Sequence, residues 1–248
     1  MASADYIVVG AGSAGCVVAR RLVDAGFTVI LLEAGPPDYA LDFRIHMPAA
    51  LSEVLGSTTY NWAFHSAPEA TMNGRRMYCP RGKTLGGSSA INGMIFVRGH
   101  AADFDRWAQL SGFPEWDYAH CLPFFKRSES VAYGESAWRG RDGPMRISRG
   151  EMANPLFEAF LQAGREAGHR VSTDLNGEHQ EGVGPFDRTI FAGRRWSAAR
   201  GYLDPVRRDG RLTIQTGTIV RRILPDATDP GVEIERGGEV QTLRADPK

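Results

Sequence analysis

DYIVVGAGSAGCVVARRLVDAGFTVILLEAG, residues 5–35, is the stretch that decides the fold class. The apolar run at residues 6–9 predicts a strand, and Gly10, Gly12 and Gly15 predict a turn into a helix that carries Val17, Val18, Ala19 and Leu22. A second apolar run at residues 29–32 ends at an acid, Glu33. Strand, glycine turn, helix, strand and acid in this order make a dinucleotide-binding unit. Gly10 permits the tight turn, Gly12 lets backbone approach a pyrophosphate, and Gly15 lets helix and strand pack closely. The anion would meet free N–H groups at the helix start, around Ser13 and Ala14, where the macrodipole adds favourable partial charge. Glu33, 23 residues after Gly10 and followed by Ala34, is placed to accept hydrogen bonds from the hydroxyls of an adenosine ribose. An acid there disfavours a 2′-phosphate, which argues against NADP. The motif by itself leaves NAD and FAD both open.

Composition narrows the class without naming a function. The 248 residues can bury a substantial core, and their length suggests one or two domains. Lys+Arg and Asp+Glu are 29 each, so no net charge draws the chain to nucleic acid or an anionic membrane. Cys16, Cys79 and Cys121 are widely spaced, with no CxxC pair. Neither a disulfide framework nor a zinc site is expected, and a reducing, cytoplasmic setting is the simpler reading. The first strand starts within five residues of Met1, which leaves no room for a signal peptide. No apolar run approaches the roughly 20 residues of a membrane span.

A second informative stretch is PRGKTLGGSSAINGMIFVRGHAADFD, residues 80–105. Its glycines free the backbone, Ser88 and Ser89 are suited to cap a helix, and residues 90–97 predict that helix, with Asn92 as its internal polar residue. A glycine turn feeding a buried helix start would be a second anion site in the same chain. Between the two motifs, residues 36–79 form a long irregular excursion of the length expected of a lid or binding segment.

The two motifs together resemble the glucose-methanol-choline (GMC) oxidoreductases, flavoproteins that oxidise alcohols, and their choline dehydrogenase-like branch in particular. Gly82, Lys83, Leu85, Gly86, Gly87, Ser88, Ser89, Ile91 and Asn92 match the family's first signature, and Phe96, Gly99 and Asp105 continue it. The resemblance implies FAD rather than NAD. It implies an α/β fold: an incomplete Rossmann-like FAD-binding domain with an inserted α+β portion of a substrate domain. Residues 1–148 would belong to the FAD-binding domain, 149–204 to the substrate domain, and 205–248 would return to the first. By resemblance, Leu85, Gly86, Gly87 and Ser88 contact the pyrophosphate and ribityl chain. Asn92, Gly93, Met94 and Ile95 lie beside the flavin ring, and the backbone of Val220 touches the adenine. Some relatives attach FAD covalently through a histidine just before the asparagine; Ile91 stands there in this sequence, so the flavin is expected to be non-covalent.

The rest of the chain yields local expectations. Residues 103–110 and a segment from Asp117 predict helices, the second kinked or interrupted at Pro123, with Phe124 and Phe125 in the core. Residues 145–148 predict a strand. Asn154, Pro155 and Gly168 bound a helix whose apolar face holds Leu156, Phe157, Phe160, Leu161 and Ala167. Residues 183–191 read as an interrupted strand, and Ser197 starts a short helix. Arg194, Arg195 and Arg200 read as a solvated cluster. Residues 212–214 and 218–224 predict strands, and residues 232–236 and 239–243 a hairpin across Gly237 and Gly238.

The resemblance implies a histidine base that takes the alcohol proton while hydride passes to the flavin. That histidine lies far downstream in the family. None of His46, His65, His100, His120, His169 and His179 sits in a motif for a base, so no catalytic residue is assigned, and no metal-ligand spacing stands out. The second family signature is also absent, and the sequence ends directly after the hairpin. The expectation is therefore an N-terminal portion, inactive alone, acting on a small-molecule alcohol once a C-terminal half complements it. A non-catalytic nucleotide-binding protein, completed by another chain or a homo-oligomeric partner, is the alternative; an NAD-dependent dehydrogenase fits the first motif but leaves the second glycine loop unexplained.

Overall fold

A computed structural model describes residues 4–226 and 229–246, in two compact units. Met1 and Lys248, on which the readings of the chain's ends turn, lie outside the described residues. One unit comprises Met1–Gly93 with Gly193–Lys248, the other Met94–Ala192.

In the first unit, β1 (Tyr6–Val9) lies parallel to β2 (Val29–Leu32), in the register Tyr6 opposite Val29 and Val9 opposite Leu32. The crossover is α1 (Ser13–Asp24), which buries Cys16, Ala19 and Val23 on one face. Gly26, at φ +93°, ends the helix turn with its N–H on the Val23 carbonyl at 3.0 Å. β3 (Leu212–Gln215) pairs with the other side of β2, giving a parallel sheet ordered β1, β2, β3. As the central strand, β2 is buried along its whole length, which is why its four residues are all apolar. Full burial of a Leu or Ile contributes about 1.5–3 kcal/mol.

Next to it stands an antiparallel meander of β4 (Thr218–Leu224), β5 (Gly231–Arg236) and β6 (Glu239–Arg244). The β5–β6 hairpin turns through Gly237 and Gly238, at φ +61° and +86°, as its glycine pair predicts. Residues 36–79 hold two short helices, Phe43–His46 and Leu51–Gly56, and a strand pair of Phe64–His65 with Tyr78–Cys79.

The second unit contains α2 (Ala101–Ser111), α3 (Tyr118–Ser128), α4 (Pro155–Glu166) and several two-residue strands. Its centre is ionic. Glu129 Oε1 accepts from Arg98 Nη2 and Arg139 Nε, both at 2.8 Å, and Arg139 also reaches Asp174 at 2.6 Å and Asp187 at 2.9 Å. This network ties residues 98–139 to residues 174–187. All of these residues lie within the second unit, Met94–Ala192.

Several local expectations are corrected. Residues 90–97 do not form a helix: a single 3-10 turn, Gly87–Ala90, is followed by Met94 at φ +62° and the short strand Ile95–Phe96. α3 runs through Pro123 uninterrupted, and Phe124 is 63 % exposed rather than in the core. The strand at 145–148 is two, Met145–Arg146 and Ser148–Arg149, with different partners. The apolar face of α4 buries only Leu161 and Gly164, while Leu156, Phe157 and Phe160 are exposed. Arg195 is buried at 1 % exposure and so does not belong to a solvated cluster, while Arg194 is exposed and Arg200 half-buried.

Candidate functional site

The two glycine motifs meet back to back inside the first unit. Gly10, at φ +85°, hangs its N–H on the Leu32 carbonyl at 2.8 Å and so sets the turn at the end of β1. Behind it Gly15 approaches so closely that a Cβ there would lie 1.9 Å from the Gly10 carbonyl oxygen. The second loop then docks on the first: the Gly86 N–H donates to the Ala11 carbonyl at 2.8 Å, and a Cβ on Gly87 would lie 2.7 Å from the Gly12 Cα. Gly82 and Gly35 are equally confined by backbone, against Gly87 and Lys83. Gly12 differs, since a Cβ there would meet nothing within 4 Å.

That open side faces a cavity of about 480 Å³. Of the residues expected at the cofactor, Gly10, Gly12, Ser13, Glu33, Ala34, Gly87, Ser88 and Val220 line it. Ala14, in the first turn of α1, and Gly15, Leu85 and Gly86, which support the loops from behind, do not. Asn92 and Gly93 are exposed on the same unit, away from the cavity lining. Met94 and Ile95 belong to the other unit, where Met94 is buried and Ile95 pairs with Arg188.

Trp62, Gly82, Thr218 and Ile219 also line the cavity and were not among the expected residues. Only weak signals point to them. Trp62 lies in the long excursion, and Thr218 follows Gly217, whose φ of +63° makes the turn between β3 and β4. Lys83 lies over the Trp62 ring at 4.6 Å.

The electrostatics suit an anion at one end and hydroxyls at the other. α1 starts with no side-chain cap and no acid in its first turn, so its leading N–H groups have no competing acceptor from those sources. Glu33 Oε2 accepts from the Ala11 N–H at 3.0 Å and Oε1 from the Gly35 N–H at 2.9 Å. Each carboxylate oxygen retains a lone pair for a further donor. The Glu33 backbone is itself clamped, donating to Gln215 and accepting from Thr218, both at 2.9 Å. Burial pushes the Glu33 carboxyl above its ordinary pKa, against the opposing pull of the Gly35, Ala11 and Ala34 amides. Cys16, under the turn, is pushed up to about 12 by burial and stays a thiol.

A dinucleotide fits these residues. The decisive feature is the contrast at the glycines: backbone blocks the Cβ directions of Gly15, Gly35, Gly82 and Gly87, while that of Gly12 opens on the cavity. Sequence profiles of GMC oxidoreductases match residues 4–247 through their N-terminal region. The chain belongs to the GMC oxidoreductase family. GMC oxidoreductases are FAD-dependent.

Among curated relatives, the chain is 48 % identical over 243 residues to an oxygen-dependent choline dehydrogenase of Rhizobium johnstonii, covering 98 % of this chain and 44 % of that protein. It is 49 % identical, with the same coverage, to one of Brucella ovis. The chain thus spans somewhat less than half the length of the curated relatives it matches. Among solved structures, pyridoxine 4-oxidase from Mesorbium loti superposes with a TM-score of 0.91 at 34 % identity, over 98 % of this chain and 48 % of that one. A formate oxidase of Aspergillus oryzae RIB40, studied for modification of its FAD, gives 0.86 at 27 %, over 99 % and 44 %.

Among the described residues no helix is long and apolar enough to cross a membrane, and no three His, Cys, Asp or Glu side chains are grouped to hold a metal.

Proposed function

We propose that this chain is the FAD-binding part of a GMC enzyme that oxidises a small-molecule alcohol to an aldehyde or ketone. The observation that carries the reading is the pair of interlocked glycine loops around one cavity, with the start of α1 and Glu33 both on its wall. Gly12, Ser13, Gly87 and Ser88 would hold the pyrophosphate, Glu33 the adenosine ribose, and the strand at Val220 the adenine. Asn92 and Gly93, exposed beyond the second loop, would meet the flavin ring. Bound FAD supplies the two-electron acceptor.

The flavin is non-covalent in this reading. Ile91, the position at which a histidine would tether it, is 2 % exposed and packs with Ile45, Val54, Tyr60 and Ala90. The base that takes the alcohol proton lies in the part of the relatives' length that this chain does not span. Residues 149–204 would supply part of the wall facing the substrate, and the similarity to choline dehydrogenases makes choline the first alcohol to test.

The test is a visible spectrum of the purified chain after titration with FAD. Saturable binding with perturbed flavin bands supports the reading, and release of all flavin on acid precipitation supports the non-covalent form. NADH binding without any flavin binding would defeat it. Alcohol turnover by the 248-residue chain alone would overturn the placement of the base outside it.

A further inference from the structure

Among the described residues, Arg195 is a buried cation without a counter-ion. Its side chain lies under the second glycine loop of the first unit, 1 % exposed. Nη1 donates to the Asn92 carbonyl at 2.6 Å, to Asn92 Oδ1 at 2.9 Å and to the Ser89 carbonyl at 3.4 Å, while Nε donates to the Ile45 carbonyl at 2.9 Å. Three residues on, the Ala198 N–H donates to Ser89 Oγ at 2.9 Å, so the same segment grips the turn twice. Every acceptor of the guanidinium is neutral, and its Nη2 has no hydrogen-bond partner among the described residues. Burial alone pulls the group down to about 10, which leaves it charged at neutral pH.

The other guanidiniums at the heart of this protein are treated differently. Arg98 and Arg139 are as deeply buried, and both are paired with carboxylates, Glu129 foremost. Burying an ion without a partner costs several kcal/mol, and neutral amide donors would serve carbonyl acceptors at lower cost. A fixed charge is useful where negative charge has to be accommodated nearby. What Arg195 holds in place is outward-facing: Asn92 and Gly93 are exposed, and a Cβ on Gly93 would meet nothing within 4 Å.

We propose that Arg195 is a positioning residue: it clamps the turn at residues 89–92 from behind and places an unpaired positive charge there, favouring the electron-rich reduced form of a flavin seated against Asn92. This rests on the FAD reading above.

The experiment uses the FAD-loaded protein, as wild type, Arg195→Gln and Arg195→Lys, and measures the two-electron midpoint potential of the flavin. Arg195→Gln should hold reduced flavin about tenfold less well relative to oxidised flavin, a fall of about 30 mV. Arg195→Lys, which keeps the charge but loses the fork, should bind FAD more weakly and keep its potential within about a third of that shift of wild type. An Arg195→Gln protein with bound FAD and an unchanged potential would overturn the proposal, as would an Arg195→Lys protein shifted by the full amount. If Arg195→Gln fails to retain flavin, the Lys variant decides alone by the same two outcomes. A wild-type protein that takes up no flavin sinks the underlying FAD reading, a result distinct from either.

Discussion

Gly12 and Gly15 lie one turn of sequence apart, yet their substitution by alanine should have opposite signatures. At Gly15 the new methyl would sit 1.9 Å from the Gly10 carbonyl oxygen, a backbone atom that cannot move without opening the β1–α1 turn. Gly15→Ala should cost about 3 kcal/mol or more and abolish FAD binding together with the fold. Gly12, at φ −76°, has a conformation alanine adopts, and its Cβ direction is empty. Gly12→Ala should leave the flavin-free protein within about 1 kcal/mol of wild type. It should weaken FAD at least tenfold, about 1.4 kcal/mol, because the methyl fills space the pyrophosphate needs. Urea unfolding without FAD and a flavin titration separate the two effects; equal losses of stability in both variants would refute the distinction.

Glu33 gives a pH test at the same scale. Its folded pKa is raised above the ordinary 4.5 by burial, so its contribution to stability is full below 4.5 and is lost as pH rises through the folded value. Ribose hydroxyls donating to the carboxylate would favour its charged form, so FAD binding should release protons and tighten as pH rises from 4.5 through the raised pKa. Glu33→Gln should flatten that dependence, measured as FAD affinity between pH 4.5 and 7. Glu33 is legible in the sequence because its spacing from Gly10 is set by one strand and one helix. Arg195 is not legible, because its burial depends on Ile45, Ser89 and Asn92, which lie 103 to 150 residues away along the chain.

Among the elements, those with their own local punctuation can be read from sequence. α4 starts where Asn154 Oδ1 accepts from the Leu156 N–H at 3.0 Å and Pro155 takes the first helical position. Asn154→Ala should therefore cost about 1 kcal/mol, measured by urea unfolding, and a change below about 0.3 kcal/mol would show that the cap is idle. The β5–β6 hairpin is equally explicit in its two glycines. Residues 90–97 show the opposite case. Their apolar run suits a helix, but the Met94 carbonyl accepts from the Thr189 N–H at 2.8 Å, and Ile95 and Phe96 pair with Arg188 and Asp187. Distant strand partners override the local preference. The outward apolar face of α4 could not be read from periodicity, which marks a stripe without saying what covers it.

At the scale of the whole molecule, the two units rest on different physics, and this can be tested by breaking one of them. The first is held by an apolar sheet around β2, the second by a buried network in which Glu129 and Arg139 have fully buried side chains. The Arg139 guanidinium would be lowered by burial alone, but Glu129, Asp187 and Asp174 more than offset this and hold it above its ordinary value. Removing one member strands the others: Arg139→Met should leave Glu129 and Asp187 without their shared cation and cost about 3–5 kcal/mol. Adding Asp187→Asn should recover part of that loss, since among the described residues Asp187 is then left with only the more distant Arg149 as a cation, at 3.6 Å, whereas Glu129 keeps Arg98 at 2.8 Å. The double variant being less stable than the single would contradict this account. Because every residue of the network lies in residues 94–192, hydrogen exchange should rise there in Arg139→Met while protection of β2 and α1 persists. FAD affinity should then change by less than about threefold, under 1 kcal/mol, because no residue of the network lines the cavity between the glycine loops. A collapse of protection in β2 at the same denaturant concentration would show instead that the units unfold as one.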